Sequence, residues 1–223
     1  MGGLDLNQRL KREALALLSS SGAMTVLEAV GRPRFHGGYR LDVMAWKEVD
    51  IYQIMDPLES ERVYRLLAEL DKCLHPAEAF LMNQLDHPRR RGPGNAFHLD
   101  LRTKPNGDPG CWKIDIWCVT PSGYKGLDRF EGRIQASLDE EKRRAIVEIK
   151  ERFHLHPGYR KGVWVHHKPA HFFSSGSIFK AVIENGVRTF SEFSDHIYSE
   201  HGVRIEDELP DTPNAGDSPP PHS

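Results

Sequence analysis

Three segments of this chain alternate polar and apolar residues, and this period of two constrains the fold more than any other feature. The segments are 48–52, 97–102 and 112–119, and the alternation predicts β-strands with one polar and one apolar face. The turn-forming run Pro105-Asn106-Gly107-Asp108 joins the second segment to the third, which predicts a β-hairpin. The chain must therefore contain a sheet with a polar face.

Carboxylates lie at alternate positions of two of these segments. Glu48 and Asp50 project from the same side of the first strand, and Asp115 shares one face of the last strand with Lys113 and Trp117. If the two strands are neighbours in the sheet, which is an assumption here, the three carboxylates meet on one face.

Apolar residues at helical spacing predict several helices. These cover the segments 5–18, 57–81, 138–153, 178–184 and 190–200, with Asn185-Gly186 as a helix C-cap signal. The stretch Met24–Val30 fits a helix or a strand equally well, and Gly123–Gly126 is interpreted as a loop. Together with the strands, these helices predict an α+β fold, a mixed sheet with helices packed on it.

The pattern also divides the chain into domains. We expect a catalytic domain over 1–126, a smaller helical domain over 127–207 and a disordered tail over 208–223, which is rich in proline and poor in apolar residues. No segment approaches the roughly 18 apolar residues that cross a bilayer, and no cationic segment followed by an apolar run begins the chain. A cytoplasmic protein without a membrane partner is expected.

The charge balance bears on nucleic-acid binding. The 30 Lys and Arg residues and the 32 Asp and Glu residues leave a formal net charge of -2, so no general positive field attracts a polyanionic backbone. Nucleic acid is thus an unlikely partner unless its contacts are local.

The glycine pair Gly37-Gly38, followed by Glu48-x-Asp50 and later by Asp115, suggests phosphate chemistry. Three carboxylates offer the hard oxygen ligands that one or two Mg²⁺ ions prefer, and glycines without a Cβ let backbone N–H groups close on a triphosphate. These parts suit phosphoryl or nucleotidyl transfer. Asp115 would then lie nearest the incoming hydroxyl and accept its proton.

The run Phe35-His36-Gly37-Gly38-Tyr39-Arg40-Leu41-Asp42, continued by Glu48-Val49-Asp50-Ile51, resembles the signature of the nucleotidyltransferase superfamily typified by DNA polymerase β. Within it, the Gly-Gly-aromatic run is similar to small bacterial adenylyltransferases that modify lincosamides and aminoglycosides. The resemblance implies a nucleotidyltransferase fold, Glu48 and Asp50 as the metal pair, Asp115 as the third carboxylate, and Gly37 and Gly38 as the phosphate loop. Glu48 stands where the superfamily more commonly has Asp.

Further nucleotide contacts are predicted beside this motif. Tyr39 follows the glycine pair, and Arg40 could supplement the metal ions on the phosphates. Lys180 lies in a segment, 177–188, that resembles the C-terminal helical part of uncharacterised bacterial relatives of the same group.

The function expected from these residues is transfer of a nucleoside monophosphate to a hydroxyl of an unidentified acceptor, with two Mg²⁺ ions. The expected donor is ATP, which would transfer AMP; another nucleoside triphosphate, which would transfer its own monophosphate, stays open. A non-catalytic or antitoxin-like member of the same fold that binds a partner protein is the first alternative. A metal hydrolase built on the histidine-rich stretch from His154 to His171 is the second.

Overall fold

The computed structural model of the chain describes residues 3–85, 94–104, 110–155 and 175–201. It divides into two compact units, Asp5–Ala136 and a second that comprises Met1–Leu4 and Ser137–Ser223. The predicted tail, 208–223, lies outside the described residues. The expected domain boundary after residue 126 stays a prediction.

The first unit is built on a sheet with helices packed against it. Its elements are α1 (Gly3–Ser20), α2 (Ala23–Val30), β1 (Arg32–His36), the short turn α3 (Gly37–Arg40), β2 (Glu48–Ile54), α4 (Ser60–Leu74), β3 (Glu78–Asn83), β4 (Phe97–Thr103), β5 (Trp112–Val119) and α5 (Pro121–Ser137). The five strands are ordered β1-β2-β5-β4-β3. Only the β2–β5 pair among them is parallel. The predicted α+β fold with a mixed sheet is confirmed.

The apolar face of the sheet lies against helices α1, α2 and α4. Leu10, Leu27 and Leu66 of these helices are buried together with Ile51 of β2 and Ile116 of β5. This is the face that the period-two pattern predicted as core, because it removes the most apolar surface from water. The polar residues of β2, β4 and β5 consequently share the opposite face.

One helix prediction and one loop prediction in the first unit are wrong. The helix expected over 57–81 ends at Leu74 because His75 adopts a left-handed conformation, with φ 45°, and a proline follows. The apolar residues after it form β3 instead. The Gly123–Gly126 loop is part of α5, since Pro121 fits the first helical turn and the Thr120 hydroxyl accepts a hydrogen bond from the Gly123 N–H at 3.1 Å.

The described part of the second unit contains the helices α6 (Glu140–Leu155), α7 (Ser175–Glu184) and α8 (Phe190–His201). All three helices confirm predicted segments. A capping box begins α8: the Glu192 N–H donates to Oγ1 of Thr189 at 3.2 Å, and the Thr189 N–H donates to Oε2 of Glu192 at 3.1 Å. The histidine-rich stretch after His154 falls outside the described residues.

No single helix among the described residues has both the length and the apolarity to cross a bilayer. Asp5–Ser20 and Ala23–Val30 are long and apolar enough only together, and a 73° bend separates them.

Candidate metal centre

Three carboxylates from two neighbouring strands meet on the polar face of the sheet. In the parallel β2–β5 pair, Asp50 lies opposite Asp115 and Glu48 lies opposite Lys113. The two strands are neighbours in the sheet, which confirms the assumption made from the sequence. Glu48, Asp50 and Asp115 each offer one carboxylate oxygen, and these three atoms lie within 4.8 Å of one another.

The chemistry of this donor set fits a hard divalent cation. Mg²⁺ binds carboxylate oxygens at about 2.0–2.1 Å, so two oxygens on one ion lie at most about 4.2 Å apart. Oxygens within 4.8 Å of one another need to move by only about half an ångström to share an ion. Asp115 is buried, and Glu48 and Asp50 are half-buried, which limits competition from water. These three residues are the ones that would hold the ion; we name them the carboxylate triad.

A lysine lies among the carboxylates. The Lys113 ammonium donates to Oε1 of Glu48 and to Oδ2 of Asp115, both at 2.7 Å, and its Nζ lies 3.9 Å from Oδ2 of Asp100. Burial works against the charged ammonium, but these three carboxylates outweigh it and raise the pKa of Lys113 above its ordinary value. The site therefore contains a fixed positive charge.

Asp115 is held from its other side by a histidine. Nε2 of His98 is hydrogen-bonded to Oδ1 of Asp115, and the His98 ring stacks on Trp117 with centroids 4.2 Å apart. Burial raises the pKa of Asp115, but the His98 hydrogen bond and the Lys113 charge oppose it and lower the value to about 2. Asp115 is thus a fixed anion whose two oxygens both have partners.

Glu48 is oriented in a similar way. Its Oε2 accepts a hydrogen bond from the Trp46 indole N–H at 2.7 Å, while Oε1 faces Lys113. Burial raises the pKa of Glu48, but the Lys113 charge and hydrogen bond, together with the Trp46 contact, bring it below its usual range. The longer Glu side chain is held at both oxygens.

The first glycine of the pair lies directly against the triad. Gly37 has φ 58°, and a Cβ there would collide with Oδ2 of Asp50. Only glycine combines this left-handed backbone with so close an approach. The predicted association of the glycine pair with the acidic strand is therefore present in the structure.

The Gly37 backbone N–H and the Arg40 side chain contact the same glutamate. The Gly37 N–H donates to Oε1 of Glu131 at 2.5 Å, and Nη1 of Arg40 lies 3.2 Å from Oε2 of Glu131 and 2.7 Å from Oδ1 of Asp128. Glu131 and Asp128 lie on α5. Two groups that the sequence proposed for phosphate binding thus face carboxylates.

The other predicted nucleotide contacts have partners within their own units. The Gly38 carbonyl accepts a hydrogen bond from the Val43 N–H at 2.9 Å. Tyr39 stacks on Phe35, with centroids 4.1 Å apart, and packs against the core. Lys180 belongs to α7 of the second unit, where its ammonium lies 3.3 Å from Oε1 of Glu200. The nucleotide-binding roles of Gly38, Tyr39 and Lys180 stay predictions.

Sequence reasoning missed three residues that shape this site. Lys113 was visible on the same strand face as Asp115, and His98 on the facing strand of the hairpin, but neither was assigned a role. Glu131 carried no local signal, because it lies 94 residues from Gly37 in the chain.

Comparison with known proteins shows a similarity in structure but none in sequence. No family model and no curated protein matches the sequence. The structure is similar to that of the Cid1 poly(U) polymerase with Mg and 3′-dATP bound, at a TM-score of 0.43 and 15% sequence identity. The similar region covers 69% of this chain and 43% of that one, so this chain spans less than half of the polymerase's length.

Proposed function

We propose that this chain is a Mg²⁺-dependent nucleotidyltransferase. The observation that carries the proposal is the meeting of Glu48, Asp50 and Asp115 within 4.8 Å beside a left-handed glycine. The finer assignment, transfer of AMP from ATP to a hydroxyl, comes from the resemblance of the glycine-pair motif to small adenylyltransferases.

The triad residues would act mainly by position. When bound, a divalent ion would hold triphosphate oxygens against the carboxylates and neutralise the charge that develops on pyrophosphate. Glu48 and Asp50 would ligate it from β2, and Asp115 from β5. His98 and Lys113 already fix the Asp115 carboxylate, so little ordering remains when the ion binds. The role of Asp115 as proton acceptor stays a prediction.

The phosphates would be held by the groups that now contact Glu131. A backbone N–H and a guanidinium are common donors to phosphate oxygens, and the Gly37 N–H and Arg40 both face one carboxylate of α5. A triphosphate bound there would compete with Glu131 for the same donors. We infer that Glu131 must move aside or be protonated when the donor nucleotide binds.

A non-catalytic, partner-binding protein of this fold is the second candidate. One observation favours it: Glu48 and Asp115 each have donors on both oxygens, from Trp46, Lys113 and His98. Carboxylates satisfied in this way do not need an ion to be stable.

The test is a transfer assay with the four α-³²P-labelled nucleoside triphosphates and pools of small-molecule, protein and RNA acceptors. Label transfer should require Mg²⁺, stop with EDTA and disappear in Asp50→Asn. Asp71→Asn, which changes an exposed carboxylate on α4, should keep full activity and is the matched control.

Three results would contradict the enzymatic proposal. Transfer that persists in Asp50→Asn would remove the triad from the reaction. Equal loss in both variants would point to a general effect of charge. If no triphosphate is transferred and none raises the melting temperature in Mg²⁺, the partner-binding alternative replaces the enzyme, because a ligand of the folded state stabilises it.

A further inference from the structure

The Lys113 ammonium takes a place between two triad carboxylates that a bridging cation would otherwise take. Its Nζ lies 2.7 Å from Oε1 of Glu48 and 2.7 Å from Oδ2 of Asp115. These atoms belong to carboxylates on different strands, so the ammonium joins β2 to β5 across the site. An ion in the same place would have to displace it.

The backbone puts the ammonium there. Lys113 lies opposite Glu48 in the β2–β5 register and two residues before Asp115 on the same strand, so all three side chains project from one face. A surface lysine could leave such a pair at little cost. Here the side chain is only 28% exposed, and its partners are more deeply buried, so the pairing is screened less by water.

The remaining part of the triad lies on the Asp50 side. The Lys113 ammonium donates to Glu48 and Asp115 and, among the described residues, makes no hydrogen bond to Asp50. Each carboxylate oxygen has two lone pairs, so Glu48 and Asp115 can bind an ion while they keep their lysine contact. One ion beside Asp50 is compatible with this arrangement, whereas a second ion between Glu48 and Asp115 is not.

We propose that Lys113 is a built-in cation of this site, and that the carboxylate triad consequently takes one divalent ion instead of two. The inference rests on the proposed function, since it assumes that the triad binds metal. It differs from the expectation of two Mg²⁺ ions drawn from the sequence. Lys113 is in this sense a positioning residue that sets the metal content of the site.

A specific rival exists within the same cluster. Oδ2 of Asp100 lies 3.9 Å from Nζ of Lys113, so the ammonium could turn to Asp100 and leave room for a second ion. Lys113 would then be a gate that opens on loading. The two ideas differ in the number of ions that the wild-type protein binds.

The test is a Mn²⁺ titration of the full chain followed by electron paramagnetic resonance, with and without α,β-methylene-ATP. Two Mn²⁺ ions at the ~3.5–4 Å spacing of a dinuclear site give a spin-coupled spectrum, whereas one ion does not. Wild type should bind one uncoupled ion at the triad, and Lys113→Met should bind two coupled ions. Lys113→Arg should bind one, and Lys72→Met, which removes an exposed lysine paired with Glu69, should match wild type.

The outcomes separate this inference from the proposed function. A coupled pair in wild type, or a single uncoupled ion in a folded Lys113→Met, overturns the role of Lys113 but leaves the metal site in place. If Lys113→Met does not fold, the wild-type count alone decides. Asp50→Asn should abolish the triad ion; if wild type binds no Mn²⁺ that Asp50→Asn removes, the proposed metal site itself is wrong.

Discussion

Gly37→Ala separates the backbone role of the glycine from its role beside the metal ligands. At φ 58°, an L-residue costs roughly 1–2 kcal/mol, equivalent to about 2–8 °C in melting temperature for a protein of this size. The new Cβ would also collide with Oδ2 of Asp50. That oxygen ends a side chain, so we expect the carboxylate to turn aside while the backbone stays in place.

The displacement of Asp50 sets the expected loss of metal affinity. To reach an ordinary contact distance, Oδ2 must move by on the order of 1 Å, whereas ligand distances in metal sites hold to about 0.2 Å. Disturbing the shell that orients a ligand typically weakens metal binding by about 10–100-fold. We expect a loss in that range for Mn²⁺ binding by Gly37→Ala.

Gly22→Ala is the matched control. Gly22 has φ 83°, and a Cβ there meets nothing within 4 Å. Gly22→Ala should therefore lose a similar amount of thermal stability and keep its Mn²⁺ affinity. The two variants are compared by thermal unfolding and by Mn²⁺ titration under electron paramagnetic resonance. Equal Mn²⁺ affinities in folded Gly37→Ala and Gly22→Ala would refute the placement of Asp50 as a metal ligand beside Gly37.

Three further substitutions test the contacts around the site and in the second unit. Glu131→Gln removes the charge that competes for the Gly37 N–H, and replacing a charged acceptor by a neutral one weakens a hydrogen bond by about 1 kcal/mol. A fluorescent triphosphate should therefore bind about fivefold more tightly. Weaker binding would contradict the proposed competition between Glu131 and the triphosphate. His98→Ala leaves an Asp115 oxygen without its donor and should lower the free energy of unfolding in urea by about 1–3 kcal/mol. His98→Gln should lose less. An unchanged urea midpoint in His98→Ala would show that the His98 hydrogen bond does not stabilise Asp115. Thr189→Ala breaks the capping box of α8 and should lower the free energy of unfolding by about 1 kcal/mol in the same assay. Thr189→Ser should stay close to wild type. Equal losses in the two variants would show that the hydroxyl is not the stabilising group.

Period-two patterning predicted β2, β4 and β5, because one face of each packs into the core, and it also predicted which face carries the carboxylates. It did not predict β1 or β3. It could not predict that β5 inserts beside β2. The two strands are separated in the chain by α4, β3 and β4, and their pairing depends on how the whole sheet closes over its core. The meeting of Asp50 with Asp115 follows from that register and from no local sequence signal.

The error about α5 arose because tertiary contacts outweigh the local preference of its glycines. Gly123 and Gly126 suggested a loop, yet α5 runs through both, since tertiary contacts routinely override the low helix propensity of glycine. Among those contacts is the ion pair of Arg40 with Asp128 at 2.7 Å. The same helix delivers Glu131 to Gly37, so the error about α5 also concealed a residue of the site.

A crystal of the wild-type protein soaked in Mn²⁺ would show directly whether the carboxylate triad binds metal. We expect an anomalous difference peak bonded to oxygens of Glu48, Asp50 and Asp115, at the roughly 2.0–2.3 Å typical of a hard cation on carboxylates. The peak should be missing from crystals of Asp50→Asn. A peak elsewhere on the protein, with Glu48 and Asp115 keeping their contacts to Lys113, His98 and Trp46 and no ion at the triad at saturating Mn²⁺, would contradict the proposed metal site.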